Sequence, residues 1–203
     1  MRAWLRTAAP LVSYAAVLVG VYWLKSAWIA LLLYHAMAIV VLSLSRISRL
    51  PPLRRGSALL YATFLIFASG GAVLYAVWPM LASEAELSAR LAGVGITKAS
   101  WTWFAIYFCT VNPVVEEALW RGFIGSDCSG LQLNDVLFGG YHGLVVSAFV
   151  GPIWILPVVA ACTFAGWFWR MLRLRSGGLA IPWLTHLAAD ASVAAAVYFR
   201  LHA

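Results

Sequence analysis

Five titratable side chains, Glu116, Glu117, His142, His186 and Asp190, lie inside stretches that are otherwise apolar. The 203-residue chain has only seven acidic residues, so placing three of them there is costly and selective. A charged residue at the centre of a membrane helix costs about 2.5–3.5 kcal/mol on insertion scales. Glutamate and histidine held close together can move a proton to and from a water molecule, which is general acid–base chemistry. The same residue types can ligate zinc, line a proton path in a transporter, or hold a bundle together as a structural polar network. Here the functional site is the favoured reading.

Helical spacing sorts these groups. Glu117 and Arg121 are four apart with the acid first, the favourable order for an intrahelical ion pair. Glu116 points about 100° away around the same helix, so that pair leaves it unneutralised. His186 and Asp190 are also four apart and share one face, and Phe138 lies one turn before His142. Pro113 removes a backbone hydrogen bond one turn before the glutamates. That predicts a kink and a small polar cavity, which is tolerated where the backbone does not face lipid. Asn112, beside it, either helps to bind water or caps the backbone that Pro113 frees.

The elements that must position these groups are membrane helices. The chain is 64% hydrophobic and 10% charged, against about 25% charged residues in soluble domains. A spanning helix needs about 20 mostly apolar residues. Stretches at 8–24, 27–44, 57–81, 102–124, 131–150, 152–170 and 178–200 qualify. The expected fold is all-α: a polytopic transmembrane bundle of about seven spans, with an eighth allowed. Residues 1–101 supply three spans and an interfacial segment. Residues 102–203 supply spans four to seven, with the site, and the whole is one membrane domain. The first stretch, Ala8 to Leu24, lacks a small-residue cleavage site and is read as a retained helix. Ser83 to Ser100 mixes charged and apolar residues and reads as an amphipathic interfacial segment or a loop.

Basic residues orient the bundle. With the N-terminus cytoplasmic, Arg2, Arg6, Arg46, Arg49, Arg54, Arg55, Arg121, Arg170, Arg173 and Arg175 lie inside, ten of the fourteen. Lys25, Arg90, Lys98 and Arg200 lie outside, and such a bias fixes topology. The formal charge of +7 is therefore assigned to the membrane surface and not to nucleic acid. On this topology Glu116, His142 and His186 sit about 12, 16 and 10 Å from the cytoplasmic ends of their spans. They meet at one level in the cytoplasmic half. Trp4, Trp23, Trp28, Trp78, Trp101, Trp103, Trp154 and Trp169 fall near span ends and read as interfacial anchors. Lone His35 reads as a packing residue and His202 as a tail residue. Gly70, Gly71, Gly139, Gly140 and Gly166 read as sites of close helix packing. Three cysteines without a CxxC spacing suggest neither a disulfide framework nor a thiolate metal site.

Three short patterns combine these residues: Glu116-Glu117 with Arg121, Phe138 with His142, and His186 with Asp190. In order and on separate helices, they resemble EExxxR, FxxxH and HxxxN/D, the motifs of the CPBP family of intramembrane endopeptidases. That family includes the type II CAAX prenyl proteases and bacterial proteins of bacteriocin processing and immunity. The resemblance covers roughly residues 102–192, including the flanking Pro113, Gly122, Gly178 and Pro182. It implies a protease of the cell inner membrane that cuts a membrane-associated protein tail or a hydrophobic or lipidated peptide. Glu116 would activate a water that His142 holds. His186 and Asp190 would polarise the scissile carbonyl or orient the water. Glu117, Arg121, Phe138 and Asn112 would support them. Zinc on Glu116, His142 and His186 is the alternative to a glutamate-only mechanism. Asparagine often stands where this chain has Asp190, and an ionised aspartate can only accept hydrogen bonds. An ion-coupled transporter and a non-catalytic membrane immunity or binding protein are the competing functions. The sequence sets no oligomeric state.

Overall fold

A computed structural model describes residues 3–45 and 58–202. Arg2, Arg46, Arg49, Arg54 and Arg55, which carry much of the orientation argument, lie outside the described residues. Helices account for all the regular structure among the described residues.

Helices α1 (Ala3–Ala8) and α2 (Leu11–Val17) lead into a π-helical stretch, Leu18–Trp23. There the Leu24 N–H reaches back five residues to the Val19 carbonyl at 2.8 Å. Ser26 then caps α3 (Ala27–Leu44), its hydroxyl accepting from the Ile29 N–H. Helices α4 (Ala58–Ala68) and α5 (Gly70–Leu81) meet at Ser69. The segment expected to be amphipathic or a loop is a helix, α6 (Glu84–Ala92), opened by a reciprocal Ser83/Glu86 capping box. Its apolar residues Leu87 and Leu91 are buried. The Ser83 N–H and hydroxyl hold the exposed Glu86 carboxyl below its ordinary value of 4.5. This part of the cap is therefore fully present above pH 4.5 and is lost as the pH falls through the lowered value.

Helix α7 (Lys98–Glu116) starts at a second capping box, Thr97/Ser100, and continues past Pro113. At Glu117 it widens into another π-helical stretch, Glu117–Phe123. After a loop come α8 (Leu133–Val146), α9 (Ile155–Ser176) and α10 (Ala180–His202). Gly177, at φ 66°, ends α9 in the left-handed conformation that glycine adopts without strain.

By length and composition, five helical stretches can cross a membrane: Trp4–Trp23, Ala27–Leu44, Ala62–Leu81, Pro152–Ser176 and Ala180–His202. The two further spans expected from hydropathy are not among them. Helix α7 is long enough, but it carries Asn112 and Glu116 and runs on into Glu117 and Arg121. The fifth expected span is the 14-residue α8, which is about 21 Å long against a hydrocarbon core of about 30 Å. It stops because Ser147–Val150 turn back toward α9.

Two features hold this short helix in place. A Cβ at Gly139 would lie 2.2 Å from the Thr163 hydroxyl and 2.5 Å from the Val159 carbonyl, so glycine lets α8 and α9 touch backbone to side chain. On its other side, the Tyr14 and Tyr22 hydroxyls donate to the Leu137 and Leu144 carbonyls at 2.8 and 2.7 Å. The first span thus braces the helix that carries His142.

Arg170 corrects the sequence reading. It is not a solvated charge beyond the end of a span, because α9 continues past it to Ser176. It is buried and grips Asp135 at the start of α8 through two bonds, 3.1 and 2.6 Å. It also donates to the carbonyls of Cys128 and Gly130, which ties down the α7–α8 loop. Removing one member of a buried pair costs about 3–5 kcal/mol, because the other charge is left uncompensated. Asp135→Ala is therefore expected to lower thermal stability in detergent by an amount of that order, read from unfolding curves of purified protein.

Candidate active site

The expected residues converge at the junction of α7, α8 and α10. Glu116, at the end of α7, and Glu117, in the π-helical stretch, share His186 but differ in their second partner, Tyr141 for the first and Arg121 for the second. Glu117 Oε1 lies 3.3 Å from Arg121 Nη1 and 2.8 Å from His186 Nδ1. Glu116 Oε2 lies 3.4 Å from His186 Nε2. Asp190 Oδ1 lies 3.6 Å from the same nitrogen. Both ring nitrogens of His186 thus face carboxylates, Nδ1 in a hydrogen bond to Glu117 and Nε2 at longer range to Glu116 and Asp190. The ring also stacks on Trp169 at 4.0 Å between centroids, with only 18° between planes.

Trp169 is therefore a wall of the site and not an interfacial anchor, unlike the exposed Trp4, Trp23 and Trp103. Trp78 and Trp101 are buried as well. Arg121 lies over the Phe138 ring at 4.1 Å and near Trp169 at 5.0 Å, which supports its charge away from water. This explains Phe138 of the second pattern: it is a face for the arginine and a neighbour of His142 at 4.5 Å.

His142 is fixed differently. Its Nδ1 lies 2.9 Å from the Phe138 carbonyl, which can only accept, so Nδ1 carries the proton and Nε2 offers a lone pair. Beside that nitrogen, at 3.3 Å, is the hydroxyl of Tyr141, whose single hydrogen is donated to Glu116 Oε1. Tyr141 therefore stands between the glutamate and the histidine that the sequence pairs through water. It was overlooked because an aromatic residue in an apolar helix reads as core. Among the described residues Glu116 Oε2 has no hydrogen-bond partner.

His35 is also more than a packing residue. From α3 its ring bonds the Asn112 Oδ1 at 3.2 Å and the Tyr107 hydroxyl at 2.9 Å. Asn112 Nδ2 in turn donates to Asp190 at 3.5 Å. Asn112 serves this side-chain chain; capping of the backbone freed by Pro113 is not what its side chain does. His202 stays at the exposed tail, away from the site.

The zinc alternative fits this geometry poorly. Among the described residues no three His, Cys, Asp or Glu side chains form a group able to hold a metal ion. The Tyr141 hydroxyl stands between Glu116 and His142, and both nitrogens of His186 are engaged by carboxylates.

Residues 98–192 match the family model described as type II CAAX prenyl endopeptidase, Rce1-like. Over those residues the chain is similar to that family. The match contains all three sequence patterns and the α7–α10 junction just described. The similarity to a membrane-protease family agrees with the five helical stretches that are long and apolar enough to cross a membrane. The Rce1-like stretch leaves out α1 to α6, although the first span braces α8 and His35 reaches Asn112. No curated protein and no solved structure matches the chain.

The two glutamates should separate in their effects on stability. Glu117→Gln leaves the buried Arg121 without its carboxylate and is expected to cost about 3–5 kcal/mol. Glu116→Gln keeps that pair and should cost clearly less. Thermal unfolding of the two purified variants in one detergent checks the order.

Proposed function

We propose that the protein is an intramembrane endopeptidase in which Glu116 activates water to cleave a membrane-associated peptide. One observation carries this reading. Glu116 has one carboxylate oxygen tied to Tyr141 and the other without a hydrogen-bond partner, beside His186 and within a cluster that three helices build. A carboxylate held by one oxygen, with the other 3.4 Å from an imidazole nitrogen and outside any hydrogen bond among the described residues, is placed to take a proton.

The chemistry follows from the donors and acceptors present. A water entering beside Glu116 Oε2 gives its proton to that oxygen while its own oxygen adds to the scissile carbonyl carbon. The Tyr141 hydroxyl and His142 Nε2 limit where this water can sit. The negative charge that develops on the carbonyl oxygen needs N–H donors, and such donors contribute about 3–4 kcal/mol each in acyl transfer. His186, backed by Glu117, is the donor nearest Glu116. Collapse of the tetrahedral species breaks the C–N bond, and the proton held on Glu116 passes to the leaving amine. No metal takes part in this scheme.

The substrate class we favour is a protein tail or a hydrophobic or lipidated peptide that reaches the site within the bilayer, with a prenylated CAAX tail as the family's type. We place the N-terminus in the cytoplasm and the site in the cytoplasmic half of the inner membrane. Supporting this orientation, Arg6 near the N-terminus donates to the Phe123 carbonyl and Arg173 to the Ser126 carbonyl, so both basic residues lie at the end of the bundle that carries the α7–α8 loop.

Comparison of membrane and secreted proteins by terminal-peptide mass spectrometry, from cells carrying wild type or Glu116→Gln, tests the reading. A terminus present only with wild type is expected; identical termini at equal expression would sink it. Tyr141→Phe, which removes only the hydroxyl, is expected to slow formation of that terminus by about 10–100-fold through misplacement of the base. Unchanged cleavage by this variant would remove Tyr141 from the mechanism.

A further inference from the structure

The Rce1-like stretch begins at residue 98, yet the Asp190 side of the site is reached by a residue far outside it. His35, on α3, is 4% exposed and makes two side-chain hydrogen bonds, both to α7. Asn112 is likewise buried, at 3%.

The donor pattern along this chain is decided by chemistry. Asn112 Nδ2 donates to Asp190 Oδ2, because a carboxylate only accepts. The other end of the same amide, Oδ1, must then accept, so His35 Nε2 carries the proton facing it. His35 Nδ1, left with a lone pair in the neutral ring, accepts from the Tyr107 hydroxyl. Each link fixes the next. If Tyr107 sets the histidine tautomer, the tautomer sets which way the amide faces, and the amide presents N–H to Asp190. With the amide turned over, a carbonyl oxygen would face the aspartate, and two acceptors would oppose each other.

Asp190 gains nothing comparable from elsewhere. Its one hydrogen-bond donor among the described residues is Asn112, and its other near contact is His186 Nε2 at 3.6 Å. The aspartate thus stands between the amide and the histidine that faces Glu116.

We infer that His35 is a positioning residue of the active site: it locks the Asn112 amide so that its N–H holds Asp190 against His186. The first half of the chain therefore completes the site that the second half carries. This inference rests on the endopeptidase reading above.

The test uses full-length protein in native membranes and measures the rate at which the wild-type-specific terminus forms, at equal protein level, with Glu116→Gln as zero. His35→Phe keeps a ring but removes both bonds, and a rate about 10–100-fold lower is expected, the scale of a misplaced reacting group. His35→Gln restores an N–H where Nε2 stood and should recover most of the loss. Asn112→Ala should be as slow as His35→Phe, and the double variant no slower than Asn112→Ala alone, since both remove one linkage. Thermal unfolding of the purified variants is measured alongside.

Wild-type cleavage by His35→Phe would overturn the inference while leaving the endopeptidase reading intact. So would losses in His35→Phe and Asn112→Ala that add, or a His35→Gln variant as slow as His35→Phe with stability equally reduced, the pattern of a packing role. If wild type and Glu116→Gln give the same termini, the endopeptidase reading fails and this inference fails with it.

Discussion

In an apolar solvent a buried charge has no water to fall back on, so every ionised group in the bundle must be matched by another part of the protein. That constraint is concentrated on His186. Its ring is approached by Glu116, Glu117 and Asp190 and is covered by Trp169. Arg121 supplies the opposing charge from the same helix as the glutamates. The rest of the architecture serves this arrangement. The π-helical stretch begins at Glu117, between two adjacent glutamates that share His186 and take Tyr141 and Arg121 as their other partners. Helix α8 is short and glycine-rich, and its Tyr141–His142 end reaches into the cluster.

Much of this was legible in the sequence because charge inside an apolar run is conspicuous. Glu116, Glu117, Arg121, His142, His186 and Asp190 declared themselves by insertion cost, and their helical spacing gave the right partners within each helix. The extent of α8 was not legible. Hydropathy registers apolar residues but not where a helix stops, and Ser147–Val150 are mostly apolar yet form a turn. Arg170 was misread for a related reason: an arginine near the end of a span looks the same in sequence whether it meets water or a buried aspartate. Asp135, its partner, lay within an apolar stretch without being recognised as part of a pair.

Tyr141, Trp169 and His35 show the complementary limit. Aromatic residues and a lone histidine in a membrane helix have an ordinary packing role, and nothing in their own spacing contradicts it. Only the approach of other helices turns the Tyr141 hydroxyl toward Glu116 and the His35 ring toward Asn112. Long-range partners of this kind, 25 and 77 residues apart in the chain, are invisible to periodicity. His35 also shows why the second span, which carries no motif, matters to the site.

The central claim is that Glu116 drives direct attack of water on a peptide bond. Purified protein in liposomes, incubated with native membrane proteins in ¹⁸O-labelled water, tests this most directly by mass spectrometry of new C-termini. The account predicts new C-termini carrying one ¹⁸O atom with wild type and none with Glu116→Gln. The same labelled termini from Glu116→Gln, or no new termini from wild type, would contradict it.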